Sequence, residues 1–132
     1  MLERIFALGI ILIFVLLFQK RFKSVRTKNS LQLPKNINLN DSTLPTVLYF
    51  WTDNCVQCRT SQKPVLHNLK EELNNFNLVE VNAIDAKELT SLFNIKTVPS
   101  TVVFSNDGNS KFINNGFADK HQLLTQLEEI KN

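Results

Sequence analysis

The chain contains only two cysteines, Cys55 and Cys58, and two residues separate them. Residues 47–51 before them are β-branched or large and apolar, which is typical of a strand buried on both faces. The charged and amide-rich residues from Gln57 to Glu72 favour a helix. Cys55 is therefore expected where a strand becomes a helix, and there free backbone N–H groups and the helix dipole would stabilise a thiolate. Because two sulfurs one helical turn apart can also close a disulfide, the spacing predicts a reactive dithiol.

Three other interpretations of the cysteine pair carry less weight. A structural zinc site needs further ligands, but the only histidines, His67 and His121, form no closely spaced pair and no second C-x-x-C is present. A purely structural disulfide at this spacing would close too small a loop to stabilise the fold much. Buried, inert thiols are disfavoured by polar flanking residues such as Asp53 and Arg59. We therefore favour redox chemistry and expect neither a metal nor another cofactor.

The composition is that of one modest domain. The 132 residues are 43% hydrophobic and include ten phenylalanines, whereas glycine and proline are scarce, which argues against a disordered chain. The net charge is +3, but five of the fifteen basic residues lie between Lys20 and Lys28. Because the rest of the chain is near neutral and shows no interleaving of basic and aromatic residues, a nucleic-acid partner is not expected.

An unbroken apolar stretch runs from Ile5 to Phe18, with charged residues on both sides. As a helix its fourteen residues would span about 21 Å, less than the hydrocarbon core of roughly 30 Å. A buried core helix should have a polar face, which this stretch lacks, and a cleaved signal peptide should be followed by small residues, which are absent. Basic side chains at both ends can extend the span, so residues 1–23 are predicted to be a single-pass transmembrane helix that anchors the protein.

The basic residues around this stretch predict its orientation. Arg4 precedes it, whereas Lys20, Arg21 and three further basic residues follow it. By the positive-inside rule, the C-terminal side with the cysteines should face the cytoplasm. The predicted location is therefore the cell membrane, with the redox domain on the cytoplasmic side. The opposite orientation, which would place the cysteines outside, stays open.

Residues 24–43 are polar and are predicted to be a tether with one candidate short strand at residues 31–33, and residues 44–132 are predicted to be the folded domain. The domain should contain strands at residues 46–52, 78–82, 101–104 and 111–113, the last two joined by a hairpin turn at residues 106–109. Its helices should cover residues 57–75 with a kink at Pro64, residues 87–93, and the C-terminal residues from Asp119, where Gln122 would complete a capping box. The order βαβαββα predicts an α/β fold in which helices flank both faces of a central mixed sheet.

The residues from Leu44 to the C-terminus resemble the thioredoxin family. Four segments carry the resemblance and occur in the family's order: Phe50-Trp51 before the C-x-x-C, Val81–Asp85, Asn94–Thr101 and Gly116–Lys120. The third of these looks like the segment that carries the family's cis-proline. The resemblance implies a thioredoxin-like α/β fold, here preceded by the predicted transmembrane helix.

The resemblance also implies roles for individual residues. Cys55 would be the attacking thiolate, and Cys58 would be the resolving thiol that opens the mixed disulfide. Val98 and Pro99, joined by a cis peptide bond, would lie beside the sulfurs and pair with an extended substrate. Trp51 would pack against the active-site surface, and a buried core tryptophan is an equally good interpretation. The partners would be protein thiols or disulfides, together with an electron donor.

The sequence also departs from the family's pattern. Tyr49 and Val81 stand where typical thioredoxins carry a buried carboxylate and a lysine that are thought to help deprotonate the resolving cysteine. Gln57 stands where strongly oxidising members tend to have a histidine, so a reductase is favoured over an oxidase. These differences put general thioredoxin activity in doubt more than thiol exchange itself.

We therefore interpret the chain as a membrane-tethered thiol–disulfide oxidoreductase that exchanges electrons with protein partners through Cys55 and Cys58. Two alternatives stay open. One is a non-catalytic binding or scaffold module that keeps the thioredoxin fold, which the missing carboxylate would permit. The other is an extracytoplasmic thiol reductase of the cytochrome-maturation type, although such proteins usually carry an insertion in the middle of the fold and none is visible here.

Overall fold

The computed structural model describes residues 1–21, 25–26 and 30–131, with side chains for residues 1–16 and 30–131. The elements are α1 (Leu2–Arg21), β1 (Val25–Arg26), β2 (Thr46–Trp51), a π-helical turn (Cys58–Gln62), α2 (Lys63–Leu73), β3 (Asn77–Asn82), α3 (Lys87–Leu92), β4 (Ser100–Phe104), β5 (Ser110–Asn115) and α4 (Lys120–Glu129).

The strands form one mixed sheet in the order β1-β5-β4-β2-β3. β2 pairs in parallel with β3 and antiparallel with β4, and β5 pairs antiparallel with β4 and with β1. The four strands predicted from the sequence are all present, so the predicted α/β fold with a central mixed sheet is confirmed. β1 is an addition, because Val25 lies opposite Ile113 although residues 24–43 were expected to be a tether.

Alternate residues of β2 point to opposite sides of the sheet, so this strand contributes to a core on each face. Helices cover both cores. The first core lies between the sheet and helices α2 and α4, and it is formed by Val47, Tyr49, Cys58, Leu66, Leu69, Phe76, Val103, Phe112, Ala118, Leu123 and Leu127. The second core lies on the face that carries α3, and it is formed by Leu48, Phe50, Val81, Phe93, Val102 and Phe104.

The segment before β2 crosses the second face. Leu31, Leu33 and Ile37 pack against the second core. The candidate strand at residues 31–33 is reduced to one isolated bridge between Gln32 and Asn109 in the β4–β5 hairpin. The hairpin turn itself lies where it was predicted, and Gly108 adopts the positive φ of 79° that favours glycine there.

The helix after the cysteines is irregular in the turn before Pro64. Five residues, Cys58–Gln62, form the π-helical turn, and Lys63 donates its backbone N–H to the carbonyl of Cys58. Pro64 lies in the first turn of α2, where no backbone donor is needed. The wider turn avoids the clash that a proline ring makes with the carbonyl four residues earlier in a regular helix.

The last helix begins as predicted, but its capping box is incomplete. The Asp119 side chain accepts a hydrogen bond from the backbone N–H of Gln122 at 2.8 Å. The Gln122 side chain does not return to Asp119, and instead donates to Oδ1 of Asn114 at 2.9 Å. One half of the reciprocal cap is therefore used to join α4 to β5.

The N-terminal apolar stretch is helical, and its apolar side chains within residues 2–16 are exposed. Within residues 1–21, 25–26 and 30–131, no helix has both the length and the apolarity that crossing a membrane requires. The predicted transmembrane helix is therefore not confirmed.

Glu80 links the edge strand β3 to α2. Its carboxylate lies 3.2 Å from Nζ of Lys63 and 2.5 Å from Nε2 of His67, and its side chain is only 26% exposed. Burial alone would raise the pKa of Glu80, but the hydrogen bonds from His67 and Lys63 outweigh it and lower that pKa. The ionised carboxylate therefore stabilises the contact between the two elements.

Glu80→Gln should lower the free energy of unfolding by about 0.5 kcal/mol at pH 7, because the charge is lost while the shape of the side chain is kept. A group whose folded pKa is lowered contributes stability above its unfolded pKa and loses it as pH falls through the folded pKa. The wild type and the variant should thus converge below roughly pH 4. Denaturant unfolding at several pH values measures this.

The matched control is Glu72→Gln, since Glu72 pairs with Lys120 at 2.7 Å where both side chains are about half exposed. Its effect should be close to zero, as for most surface ion pairs. A pH-independent difference between Glu80→Gln and the wild type would contradict the electrostatic explanation.

Candidate active site

Cys55 and Cys58 form a disulfide at the C-terminal end of β2. The S–S distance is 2.10 Å and the Cα atoms are 5.2 Å apart. The two residues differ in exposure, because Cys55 is half-buried whereas Cys58 is only 1% exposed. Only Cys55 is therefore placed to meet a partner in solution.

The backbone around Cys55 supplies hydrogen-bond donors at the start of the helix. The backbone N–H of Cys58 points at Sγ of Cys55, with the two atoms 3.1 Å apart. Cys55 itself closes a turn by donating its N–H to the carbonyl of Thr52 at 3.2 Å. Arg59 extends toward the carbonyl of Asp53 in an exposed position. An N–H group aimed at a sulfur stabilises a thiolate there once the disulfide is opened.

The predicted substrate-binding residues lie together with the cysteines. Trp51, Cys55 and Val98 all pack against the first core, which contains Cys58. The Val98–Pro99 peptide bond is cis, as predicted. Val98 also lines a cavity of about 240 Å³ with Thr52, Ala83, Ile84, Thr90, Ile95, Lys96 and Thr97. The structure thus brings the predicted site residues to one end of the sheet.

Tyr49 lies directly beneath the disulfide. Its side chain is 1% exposed, and its hydroxyl donates to the carbonyl oxygen of Cys58 at 3.0 Å. Burial, together with the nearby charge of Glu80, raises the pKa of Tyr49 to about 12. The phenol is therefore neutral at ordinary pH and acts as a donor.

The neighbour of Tyr49 on β3 is Glu80, and Val81, which was matched to the family's lysine, lies one position further along the strand. The register pairs Tyr49 with Glu80 and Phe50 with Val81. Val81 consequently belongs to the second core, on the face of the sheet away from the disulfide. A one-residue difference in register could not be resolved from the sequence.

Gln62 is a further site residue that the sequence analysis missed. It is fully buried, and its amide makes two hydrogen bonds to the backbone of Ala118, as donor at 3.0 Å and as acceptor at 2.8 Å. These bonds join the active-site helix to the segment that leads into α4. The available signal was its spacing, because Gln62 lies four residues after Cys58 and four before Leu66, on the buried stripe of the helix.

Among residues 1–21, 25–26 and 30–131, no three His, Cys, Asp or Glu residues converge in a geometry that could hold a metal ion.

Comparison with known proteins agrees with this geometry. Residues 26–129 match the family model described as Thioredoxin. No curated protein sequence matches the chain at the significance applied.

Several solved structures share the fold. Thioredoxin-2 of a malaria parasite is 18% identical with a TM-score of 0.61, and the match covers 79% of this chain and 99% of that one. Thioredoxin O2 of Arabidopsis thaliana in its oxidised state is 24% identical with a TM-score of 0.57, covering 70% and 79% of the two chains. Mitochondrial thioredoxin 3 of Saccharomyces cerevisiae in its oxidised form is 18% identical with a TM-score of 0.58, covering 64% and 77%.

The family match spans most of the chain, and it includes both cysteines at the position where the structure joins them. The chain therefore belongs to the thioredoxin family, and its cysteine pair makes it a thiol–disulfide oxidoreductase.

Proposed function

We propose that this protein exchanges dithiol for disulfide with protein partners, with Cys55 as the attacking cysteine and Cys58 as the resolving cysteine. The observation that supports this assignment is the asymmetry of the pair. Cys55 is half-buried and its sulfur receives the N–H of Cys58 at 3.1 Å, whereas Cys58 is 1% exposed. The exposed sulfur is the one whose thiolate is stabilised.

Two balanced steps describe the reduction of a partner disulfide. The Cys55 thiolate attacks one partner sulfur, so that a Cys55–partner bond forms and the partner's S–S bond breaks, releasing a partner thiolate. Cys58 then loses its proton to solvent and attacks Sγ of Cys55. The Cys55–Cys58 bond forms, the Cys55–partner bond breaks, and the partner leaves as its second thiolate. The partner gains two electrons and the cysteine pair loses two.

We assign partner binding to the surface around Trp51, Val98 and Pro99. Val98 is partly buried next to the core that holds the disulfide and lines the cavity beside it. Apolar side chains surround this end of the domain, since Val56 is 60% exposed and Ile84, which lines the same cavity as Val98, is 58% exposed. An extended apolar segment of a partner fits this surface, with backbone pairing at Val98.

Turnover of a model protein disulfide tests the proposal. The wild type should reduce it, and Cys55→Ser should abolish turnover because the nucleophile is lost. Cys58→Ser should also stop turnover, yet it should accumulate a stable mixed disulfide that survives non-reducing electrophoresis. The reverse pattern, with partners held on Cys58, would overturn the assignment of the two roles.

The same experiment distinguishes the second candidate, a binding module without turnover. Tyr49 favours that candidate, because a phenol with a pKa of about 12 cannot accept the proton of Cys58. Such a module would bind partners through the Val98 surface while the wild type failed to reduce the model disulfide at any pH.

We propose that the pair acts as a reductase. Gln57 offers only a neutral dipole beside Cys58, and it is exposed at the start of the helix. The reduction potential should thus lie nearer the thioredoxin value of about −270 mV than the oxidase value of about −120 mV. Equilibration with glutathione measures it, and a potential above roughly −160 mV would contradict a reductase. Gln57→His should raise the potential, whereas Gln57→Asn should leave it nearly unchanged.

We also propose that the N-terminal helix tethers the domain to a membrane, with the cysteines on the cytoplasmic side. The unbroken apolar sequence from Ile5 to Phe18, the exposed apolar side chains within residues 2–16 and the basic residues after them support this proposal.

The full chain should remain with membranes after carbonate washing, and a variant without residues 1–24 should be soluble and folded, because the described core contains no residue of α1. External protease should spare the domain in sealed cells. Release of the full chain by carbonate would contradict the tether, and digestion in sealed cells would contradict the orientation.

A further inference from the structure

The carbonyl oxygen of Cys58 accepts two hydrogen bonds from different parts of the fold. The hydroxyl of Tyr49 on β2 donates to it at 3.0 Å, and the backbone N–H of Lys63 donates to it across the π-helical turn. A regular α-helix would give this carbonyl a partner four residues on, whereas here the partner is five residues on and a side chain supplies the second donor. The backbone of Cys58 is therefore fixed from the sheet as well as from the helix.

The surroundings of Tyr49 restrict the movement of its ring. Its ring is 1% exposed within the first core, and its neighbours in register are Glu80 on β3 and Thr101 on β4. A buried aromatic ring in the centre of a sheet has little freedom to move. The position of the Tyr49 hydroxyl therefore fixes the position of the Cys58 carbonyl that is hydrogen-bonded to it.

Tyr49 does not act as a proton acceptor in this position. Burial and the charge of Glu80 raise the pKa of the phenol to about 12, so it keeps its proton throughout the range in which thiols ionise. Glu80 lies on the outer strand β3, and its carboxylate is paired with Lys63 and His67 of α2. Tyr49 therefore acts on the site through the position of the Cys58 backbone, to which it is hydrogen-bonded.

We propose that Tyr49 is a positioning residue for the resolving step, in which it holds the backbone of Cys58 so that the Cys58 sulfur reaches Sγ of Cys55. The inference rests on the proposed function. In that step the Cys58 S–H proton passes to solvent, the Cys58–Cys55 bond forms, and the Cys55–partner bond breaks with the electron pair leaving on the partner sulfur. Correct placement of the attacking atom governs the rate of such a ring closure. The first attack by Cys55 uses the N–H of Cys58, which belongs to the peptide unit before its Cα, whereas Tyr49 contacts the carbonyl of the peptide unit after it.

The test separates the two steps in Tyr49→Phe, which removes only the hydroxyl. Resolution of a preformed mixed disulfide between Cys55 and a small aromatic thiol should slow about tenfold, the effect of one lost hydrogen bond to a buried acceptor. Attack by Cys55 on the corresponding aromatic disulfide, measured in the Cys58→Ser background, should change less than about twofold. Equal slowing of both steps, or an unchanged resolution rate, would overturn the proposal.

The matched control is Thr60→Val. Thr60 also donates its hydroxyl to a backbone carbonyl of the same helix, but that carbonyl belongs to Val56, at 2.9 Å, and the Thr60 side chain is exposed. It should leave both steps unchanged. If the wild type forms no mixed disulfide at all, the proposed function is contradicted. If the wild type forms the mixed disulfide and resolves it at the same rate as Tyr49→Phe, only the role of Tyr49 is contradicted.

A second measurement applies even if Tyr49→Phe does not fold. Tyr49 is the only tyrosine in the chain, so biosynthetic 3-fluorotyrosine labels this position alone. Its fluorine resonance should differ between the oxidised and reduced protein, because the carbonyl that it contacts belongs to the residue whose sulfur changes state. Identical resonances in the two states would contradict a coupling between Tyr49 and the resolving cysteine.

Discussion

The burial of Cys58 beneath a half-exposed Cys55 is the constraint on which the candidate site depends. Two thiols three residues apart on a chain are chemically alike unless the fold gives them different environments. Here the environments differ because the helix is fixed in one orientation about its axis. Tyr49 contacts the carbonyl of Cys58 from the sheet, and Gln62 is bonded to the backbone of Ala118. A rotation of the helix by one residue, about 100°, would break these bonds and expose the stripe that includes Leu66. The distinct chemistry of the two sulfurs is therefore a consequence of packing.

The parts of this arrangement that could be predicted from the sequence are those determined by neighbouring residues. β2 was predicted because its apolar run is local, and the start of α4 was predicted because Asp119 caps the N–H of Gln122 three residues later. The parts that were missed depend on residues distant in sequence. Gln62 and Ala118 are 56 residues apart, and no local pattern relates them.

The neighbour of Tyr49 on β3 could not be predicted for a different reason. Strand side chains alternate with period two, so a shift of one residue in the pairing of β2 with β3 would replace Glu80 by Val81, which points to the other face of the sheet. Patterns of hydrophobicity locate a strand within a residue or two, which is sufficient for the fold. That precision is not sufficient to place a charged side chain at one strand position rather than at the next.

The electrostatics of the site then follow from which group is buried. An ionised carboxylate beneath the disulfide would need a buried partner, because an unpaired charge in the interior costs far more than a neutral polar group. The phenol of Tyr49 needs one acceptor, which the carbonyl of Cys58 provides. The carboxylate of this region, Glu80, instead lies on the outer strand, where Lys63 and His67 are hydrogen-bonded to it. The chain thus keeps the region behind Cys58 hydrogen-bonded without a buried charge.

The described residues 30–37 before β2 lie on the face of the sheet opposite the disulfide. Leu31, Leu33 and Ile37 pack on the second face, whereas the disulfide belongs to the first. β1 lies at the far edge of the sheet, three strand positions from β2, which corresponds to about 14 Å at ordinary strand spacing. The described residues of the N-terminal segment thus lie on the edge and the face of the sheet that do not carry the disulfide. Val98 packs against both cores, so it connects the disulfide side of the sheet with the face on which this segment lies.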